Sequence, residues 1–145
     1  MDSLRHLPAR LLTAAVVGLL VAGCGVGHRL AVPARVVDVT ERDFAIKVSQ
    51  RNVAAGTVVF RATNRGPDAH ELIIARVHRV QLPLRTDGLT VSEEGLEKSI
   101  VGTLEPGQPN SVRELRVRLA PGRYVLFCNM FGHFMGGMRA DVVVR

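Results

Sequence analysis

The sequence is poor in the aromatic side chains that stack on nucleic-acid bases: its 145 residues include no tryptophan, one tyrosine and five phenylalanines. It also lacks a basic run, because the arginines behind the formal net charge of +6 stand singly along the chain. Proteins that bind nucleic acid concentrate both kinds of residue on one surface. The basic composition therefore predicts no nucleic-acid partner.

Long hydrophobic runs are also missing. The longest apolar run, residues 11–22, falls short of the roughly 20 residues that a membrane-spanning helix needs. Arg5 and Arg10 precede it and Val21-Ala22-Gly23-Cys24 follows it, which is the order of a secretory signal. The alternatives are an uncleaved anchor and a buried N-terminal helix, but the run is too short and its flanks do not fit them.

The end of this signal resembles the bacterial lipobox, in which the cysteine receives lipid and becomes the first residue of the mature protein. The resemblance implies a signal peptide over residues 1–23, a lipidated Cys24 with a tether over residues 24–34, and a folded domain over residues 35–145. It also implies export to the bacterial cell envelope, with the domain lipid-anchored at the extracytoplasmic face of a membrane.

Cysteine is scarce, since the chain has two. With Cys24 assigned to lipid, Cys128 is left as a single thiol in a compartment where thiols oxidise. A disulfide between the two is the alternative interpretation. A metal ion is the partner that we favour for Cys128.

Short apolar segments separated by Gly, Pro and Asn turns predict an all-β fold. Apolar residues alternate with polar ones in the period of half-buried strands in segments 37–39, 44–48 (with Phe44 first), 58–62, 115–119 and 138–144. Nearly continuous apolar runs occupy residues 70–77 and 124–128. These seven segments predict a two-sheet sandwich. Ser92-Glu93-Glu94 predicts one short helix within the connection 78–106.

Three soft or borderline metal ligands follow one another near the C-terminus. Cys128, His133 and Met138 are each five residues apart, and glycines between them allow the loop to curl. His70 follows a Gly-Pro-Asp turn and opens an apolar strand, so it is the candidate for one further ligand. Two His and one Cys with a weak axial Met form the ligand set of an electron-transfer copper.

This pattern resembles the cupredoxin family of blue copper proteins, and its loop spacing is most like that of rusticyanin, auracyanin and sulfocyanin. The segments from Asn64 to His70 and from Pro121 to Cys128 are also similar to the family. The resemblance implies a Greek-key β-sandwich of about seven to eight strands. It also implies one type 1 copper held by His70 and His133 through Nδ1, by the Cys128 thiolate and by an axial Met138.

The same resemblance implies a function without catalysis: one-electron transfer between redox partners such as a cytochrome or an oxidase, by a monomer. Phe131, Phe134, Met130 and Met135 predict an apolar collar around His133, which would be the exit for electrons; they could equally close the end of the core. The alternative function is a copper-trafficking or storage lipoprotein that binds Cu(I).

Two positions depart from the family pattern. Glu71 stands where many relatives have Asn or Ser after the first histidine, and we expect its carboxylate to point to solvent. Ala69 stands where azurin has a glycine whose carbonyl approaches the metal, so we expect four ligands rather than five.

Overall fold

The computed structural model describes residues 34–78 and 81–145. Nine β-strands and one short helix lie in this part of the chain. Their bounds are β1 Arg35–Arg42, β2 Ala45–Val48, β3 Asn52–Val53, β4 Gly56–Asn64, β5 His70–Val77, α1 Glu93–Leu96, β6 Ile100–Gly107, β7 Val112–Leu119, β8 Gly122–Phe127 and β9 Arg139–Val144. The signal peptide, Cys24 and most of the tether fall outside the described residues.

The strands form two sheets that pack face to face. The four-stranded sheet has the order β2-β1-β4-β7, and the five-stranded sheet has the order β3-β9-β8-β5-β6. β1 and β4 are parallel, as are β3 and β9, while the other neighbours are antiparallel. The chain crosses between the sheets after β2, β3, β4, β6 and β7. This arrangement confirms the predicted all-β sandwich.

The core between the sheets is built from alternate residues of each strand, which explains the period-two segments of the sequence. Val37, Phe60, Leu72, Leu126 and Val142 are completely buried there. A second cluster covers the outer face of the five-stranded sheet, and it includes Ile73, Ala75, Val125, Phe127, Leu82, Val91 and Leu96. Because β5 and β8 are covered on both faces, they read as nearly continuous apolar runs.

The predicted short helix is confirmed but ends after one turn. Ser92 is its N-cap, and the Ser92 hydroxyl accepts a hydrogen bond from the Gly95 N–H at 3.2 Å. The following residues form β6, a strand that the sequence did not reveal. β6 lies at the edge of its sheet and pairs with β5 alone. Its residues are therefore half-exposed, and Gly102, Thr103 and Glu105 interrupt the apolar pattern.

One end of the sandwich gathers the chemically active residues, and we call it the site end. β1 and β8 finish there, while β5 and β9 begin there, so the chain turns at Asp43, His70, Cys128 and Met138 within one region. No helix among the described residues has the length and apolar character needed to cross a bilayer.

Candidate metal centre

Three of the four predicted ligands meet at the site end. One donor atom each from His70, Cys128 and His133 lies within 4.8 Å of the other two, and all three side chains are buried. Cys128 Sγ lies 3.5 Å from His133 Nδ1. The two imidazole rings meet edge to face, with centroids 5.2 Å apart. Strand pairing explains how His70 reaches the other two, since β5 and β8 are adjacent.

Met138 is completely buried in the same core cluster as Cys128. Its backbone ties the two ends of the loop together, because the Cys128 N–H donates to the Met138 carbonyl at 3.1 Å and the Met138 N–H donates to the His133 carbonyl at 2.9 Å. Gly132 and Gly137 allow this tight path, with positive φ angles of 78° and 107°. The glycines of the loop thus allow the tight turn that the sequence predicted.

Burial favours the neutral forms of two of these side chains, Cys128 and His70. It raises the pKa of the Cys128 thiol to about 11. It also lowers the pKa of His70, and the neighbouring His133 lowers that pKa further. Neither ring nitrogen of His70 has an aligned hydrogen-bond partner among the described residues, although both are buried. Buried polar atoms are normally paired, and a bound metal would supply the missing partner to one of these nitrogens.

The chemistry of these donors fits a copper ion. Thiolate and thioether groups select Cu(I), and imidazole suits copper in both oxidation states. A buried site that already holds His70, Cys128 and His133 together requires little movement on binding. The residues present therefore fit the group that the sequence implied.

The turn between β1 and β2 is a wall of this site that the sequence did not reveal. Asp43 Oδ1 lies 3.0 Å from His70 Nε2, and the ring of Phe44 meets the ring of His133 edge to face at 5.5 Å. The prediction that Phe44 lies within a strand was wrong. Phe44 adopts a positive φ of 60° in the turn and is 54% exposed. Only the chain topology brings this turn to the site, so no local signal marked it.

The Glu71 carboxylate does not point to solvent as expected. It is half-buried and accepts a hydrogen bond from the Asn129 N–H at 2.9 Å, next to the Cys128 thiol. Burial raises the pKa of Glu71, and the hydrogen bond from Asn129 opposes this shift.

The apolar residues around His133 divide into two groups. Phe131 and Met135 are 73% and 50% exposed. Phe134 is buried and packs edge to face on Phe127, with ring centroids 5.6 Å apart, while the half-buried Met130 packs on the main core. The collar and the core-closing interpretations therefore each describe part of this loop.

Neither a protein-family model nor a curated protein matches the sequence. Solved structures do resemble the fold. An auracyanin from Roseiflexus castenholzii is 15% identical, with a TM-score of 0.57, and the match covers 77% of this chain and 98% of that one. Auracyanin A from Chloroflexus aurantiacus, described as a "blue" copper protein, is 17% identical, with a TM-score of 0.58 and coverage of 78% and 100%.

Rusticyanin from Thiobacillus ferrooxidans is a further neighbour. It is 15% identical, with a TM-score of 0.54, and the match covers 78% of this chain and 79% of rusticyanin. At such low identity the likeness speaks for the arrangement of the strands rather than for individual residues. The chain has the cupredoxin fold.

Proposed function

We propose that this protein is a type 1 copper protein that carries single electrons between redox partners in the bacterial cell envelope. His70, Cys128, His133 and Met138 would hold the copper. The observation that supports this most directly is the buried convergence of one thiol and two imidazoles within 4.8 Å. One copper bound there would supply reversible one-electron chemistry between Cu(I) and Cu(II).

The surroundings of His133 support its role as the electron exit. His133 keeps 9% of its surface exposed, whereas Cys128 is completely buried, so His133 is the nearer of the two to the surface. The exposed Phe44 packs on the ring of His133, and the exposed Phe131 lies two residues before it in the chain. Apolar side chains of this kind exclude water from the site and form a small docking surface, which suits brief contacts with a cytochrome or an oxidase.

Visible absorption and EPR of the mature lipoprotein loaded with Cu(II) test the copper assignment. We expect an intense thiolate-to-copper band in the wild type and its complete loss in Cys128→Ser. Met138→Leu should keep the colour but raise the reduction potential, because Cu(II) loses an axial donor. Met130→Leu is the matched control and should change neither. A colourless wild type with ordinary tetragonal copper signals would reject the assignment.

A kinetic comparison separates the carrier from the Cu(I)-trafficking alternative. We expect the reduced protein to pass electrons to an oxidant much faster than it releases Cu(I) to a chelator such as bicinchoninate. The opposite order of rates would favour trafficking or storage.

We further propose that lipid on Cys24 anchors the mature protein, with residues 24–34 as its tether, as a monomer and without catalytic activity of its own. The lipobox-like sequence supports this proposal. Fractionation of cells that express the wild type or Cys24→Ala tests it. We expect the wild type in the membrane fraction and the variant outside it. Equal distribution of the two would contradict the anchor.

A further inference from the structure

Asp43 approaches the first histidine from the side of the β1–β2 turn. Its Oδ1 lies 3.0 Å from Nε2 of His70, whose side chain is completely buried. The two atoms are at hydrogen-bonding distance without being aligned, and neither has another hydrogen-bond partner among the described residues. A small rotation of either side chain would complete the bond.

The contact distinguishes the two nitrogens of His70. Nε2 faces the Asp43 carboxylate, while Nδ1 is buried and has no partner within residues 34–78 and 81–145. A hydrogen bond from one ring nitrogen fixes the tautomer and leaves the lone pair of the other nitrogen free for a metal. Asp43 therefore stands where it would determine which nitrogen of His70 is available.

Gly66 provides a second, independent observation. A Cβ atom at this position would lie 2.6 Å from Asp43 Oδ1 and 2.8 Å from His70 Nε2, which is closer than atoms can approach. Glycine is thus required here because the two side chains meet beside its backbone. The loop leaves space for this pair.

The position of Gly66 is itself fixed by Asn64, which is completely buried. Asn64 Oδ1 accepts a hydrogen bond from the Gly66 N–H at 2.8 Å. Its Nδ2 donates to the carbonyls of Asp68 at 2.7 Å and Gly107 at 3.0 Å. These bonds close the loop from Asn64 to His70 on itself and tie it to the end of β6.

We propose that Asp43 is a positioning residue of the metal centre. Its carboxylate accepts a hydrogen bond from Nε2–H of His70, which dedicates Nδ1 to the metal, and its negative charge favours Cu(II) over Cu(I). This role rests on the proposed copper function. It requires a specific contact, so the exposed carboxylate of Asp68 cannot replace it, although Asp68 is near enough to influence the charge of His70.

The first test does not depend on copper. We expect ¹⁵N NMR of the metal-free wild type at pH 8 to show His70 as the Nε2–H tautomer. Asp43→Ala should yield a mixture of tautomers, and Asp68→Asn should leave the wild-type tautomer unchanged. An Asp43→Ala variant with the unchanged tautomer would overturn the proposal. Because no copper is present, this result is independent of the proposed function.

The second test uses copper-loaded protein, with the blue band of the wild type as the check on the proposed function. Outer-shell partners of metal ligands change metal affinity by about tenfold or more. We expect Asp43→Ala to lower the ratio of Cu(II) to Cu(I) affinity by about tenfold, which raises the reduction potential by about 59 mV. Asp43→Asn keeps an acceptor oxygen, so it should shift the reduction potential less than Asp43→Ala does. Its copper hyperfine splitting should equal that of the wild type. Equal shifts of the reduction potential in Asp43→Ala and Asp68→Asn would contradict a specific role for the contact between Asp43 and His70.

Gly66→Ala separates Asp43 from His70 without removing either. We expect it to raise the reduction potential in the wild-type background. In the Asp43→Ala background the same substitution should add much less, because the contact is already absent. Additive shifts in this double-mutant cycle would show that Gly66 and Asp43 act separately and would overturn the proposal.

Discussion

The two ends of the sandwich share the same strands but are built from opposite kinds of residue. All five buried polar or charged residues of the described chain lie at the site end, namely Glu41, Asn64, His70, Asn129 and His133. The site end also exposes large apolar side chains such as Phe44, Phe131 and Met135.

At the opposite end, where β4 and β8 begin and β7 and β9 finish, the core is apolar. Leu119, Val142 and Val144 are buried there, and exposed arginines such as Arg118 and Arg123 surround them. Burying apolar side chains stabilises a fold, whereas burying a polar group costs stability unless it is hydrogen-bonded. The site end therefore gathers the side chains suited to holding a metal, while the opposite end is built as an apolar core.

The largest expected effect is on stability at the opposite end. Leu119→Ala should lower the free energy of unfolding by about 2–5 kcal/mol, because it leaves a cavity in the apolar core. The visible spectrum of the folded, copper-loaded protein should remain unchanged. Denaturant unfolding followed by circular dichroism, with absorption on the same samples, measures both. An altered copper band would mean that the two ends are coupled.

The next effect belongs to the site end and concerns protons. Because the pKa of Cys128 is about 11, the thiol is protonated at neutral pH and must lose its proton when a metal binds. The apparent affinity for Zn(II) should rise about tenfold per pH unit, hence about 100-fold from pH 7 to 9, or about 2.7 kcal/mol. Competition titrations measure it, and Cys128→Ser should remove the slope due to this proton.

The same shift has a consequence for the metal-free protein. The folded pKa of Cys128 lies above its ordinary value of 9.0, so the stability from keeping the thiol protonated is complete below that value. This stability is lost as the pH rises through about 11. Unfolding midpoints of the wild type should therefore fall over this range more steeply than those of Cys128→Ser. Parallel curves would contradict the buried thiol.

A smaller effect is expected from the tyrosine of β8. The Tyr124 hydroxyl donates to the Ala120 carbonyl at 2.9 Å, at the opposite end of the sandwich. Tyr124→Phe should cost about 1 kcal/mol of unfolding free energy, the usual contribution of one hydrogen bond. Its copper spectrum and reduction potential should equal those of the wild type. A shifted reduction potential in Tyr124→Phe would contradict the separation of the two ends.

The smallest effects on stability are expected from exposed residues. Substitutions of exposed residues at the two ends should differ in their effect on electron transfer but not on stability. Phe131→Gln and Arg118→Gln should each change the unfolding free energy by less than about 0.5 kcal/mol. Electron self-exchange should slow about tenfold in Phe131→Gln, as losing about 1.4 kcal/mol of docking free energy would give. Arg118→Gln should exchange electrons at the wild-type rate. Equal self-exchange rates in the two variants would contradict a docking role for the site end.

The sequence predicted those features that local patterns carry. The strands with one covered face showed alternation, and the spacing of Cys128, His133 and Met138 marked the loop that holds them. His70 could be predicted from the sequence because it begins an apolar strand after a turn. The strand β6 was missed because an edge strand is bound by few neighbours and tolerates interrupting residues.

Features that depend on long-range contacts could not be predicted. Nothing near Asp43 or Phe44 in the sequence indicates that their turn reaches two histidines distant along the chain. Glu71 was predicted to face solvent because carboxylates are usually exposed. Its acceptor role depends on the Asn129 N–H, which strand pairing alone brings close.

Asn129 joins the site to the long connection between β5 and β6. Its side chain accepts a hydrogen bond from the Val91 N–H at 2.6 Å and donates to the Val91 carbonyl at 3.0 Å and to the Glu93 carboxylate at 2.8 Å. The backbone of this connection is thus hydrogen-bonded to the residue that follows Cys128. The rate at which a protease cleaves this connection should therefore report how firmly Asn129, and with it Cys128, is held in place. Gel electrophoresis is enough to measure that rate.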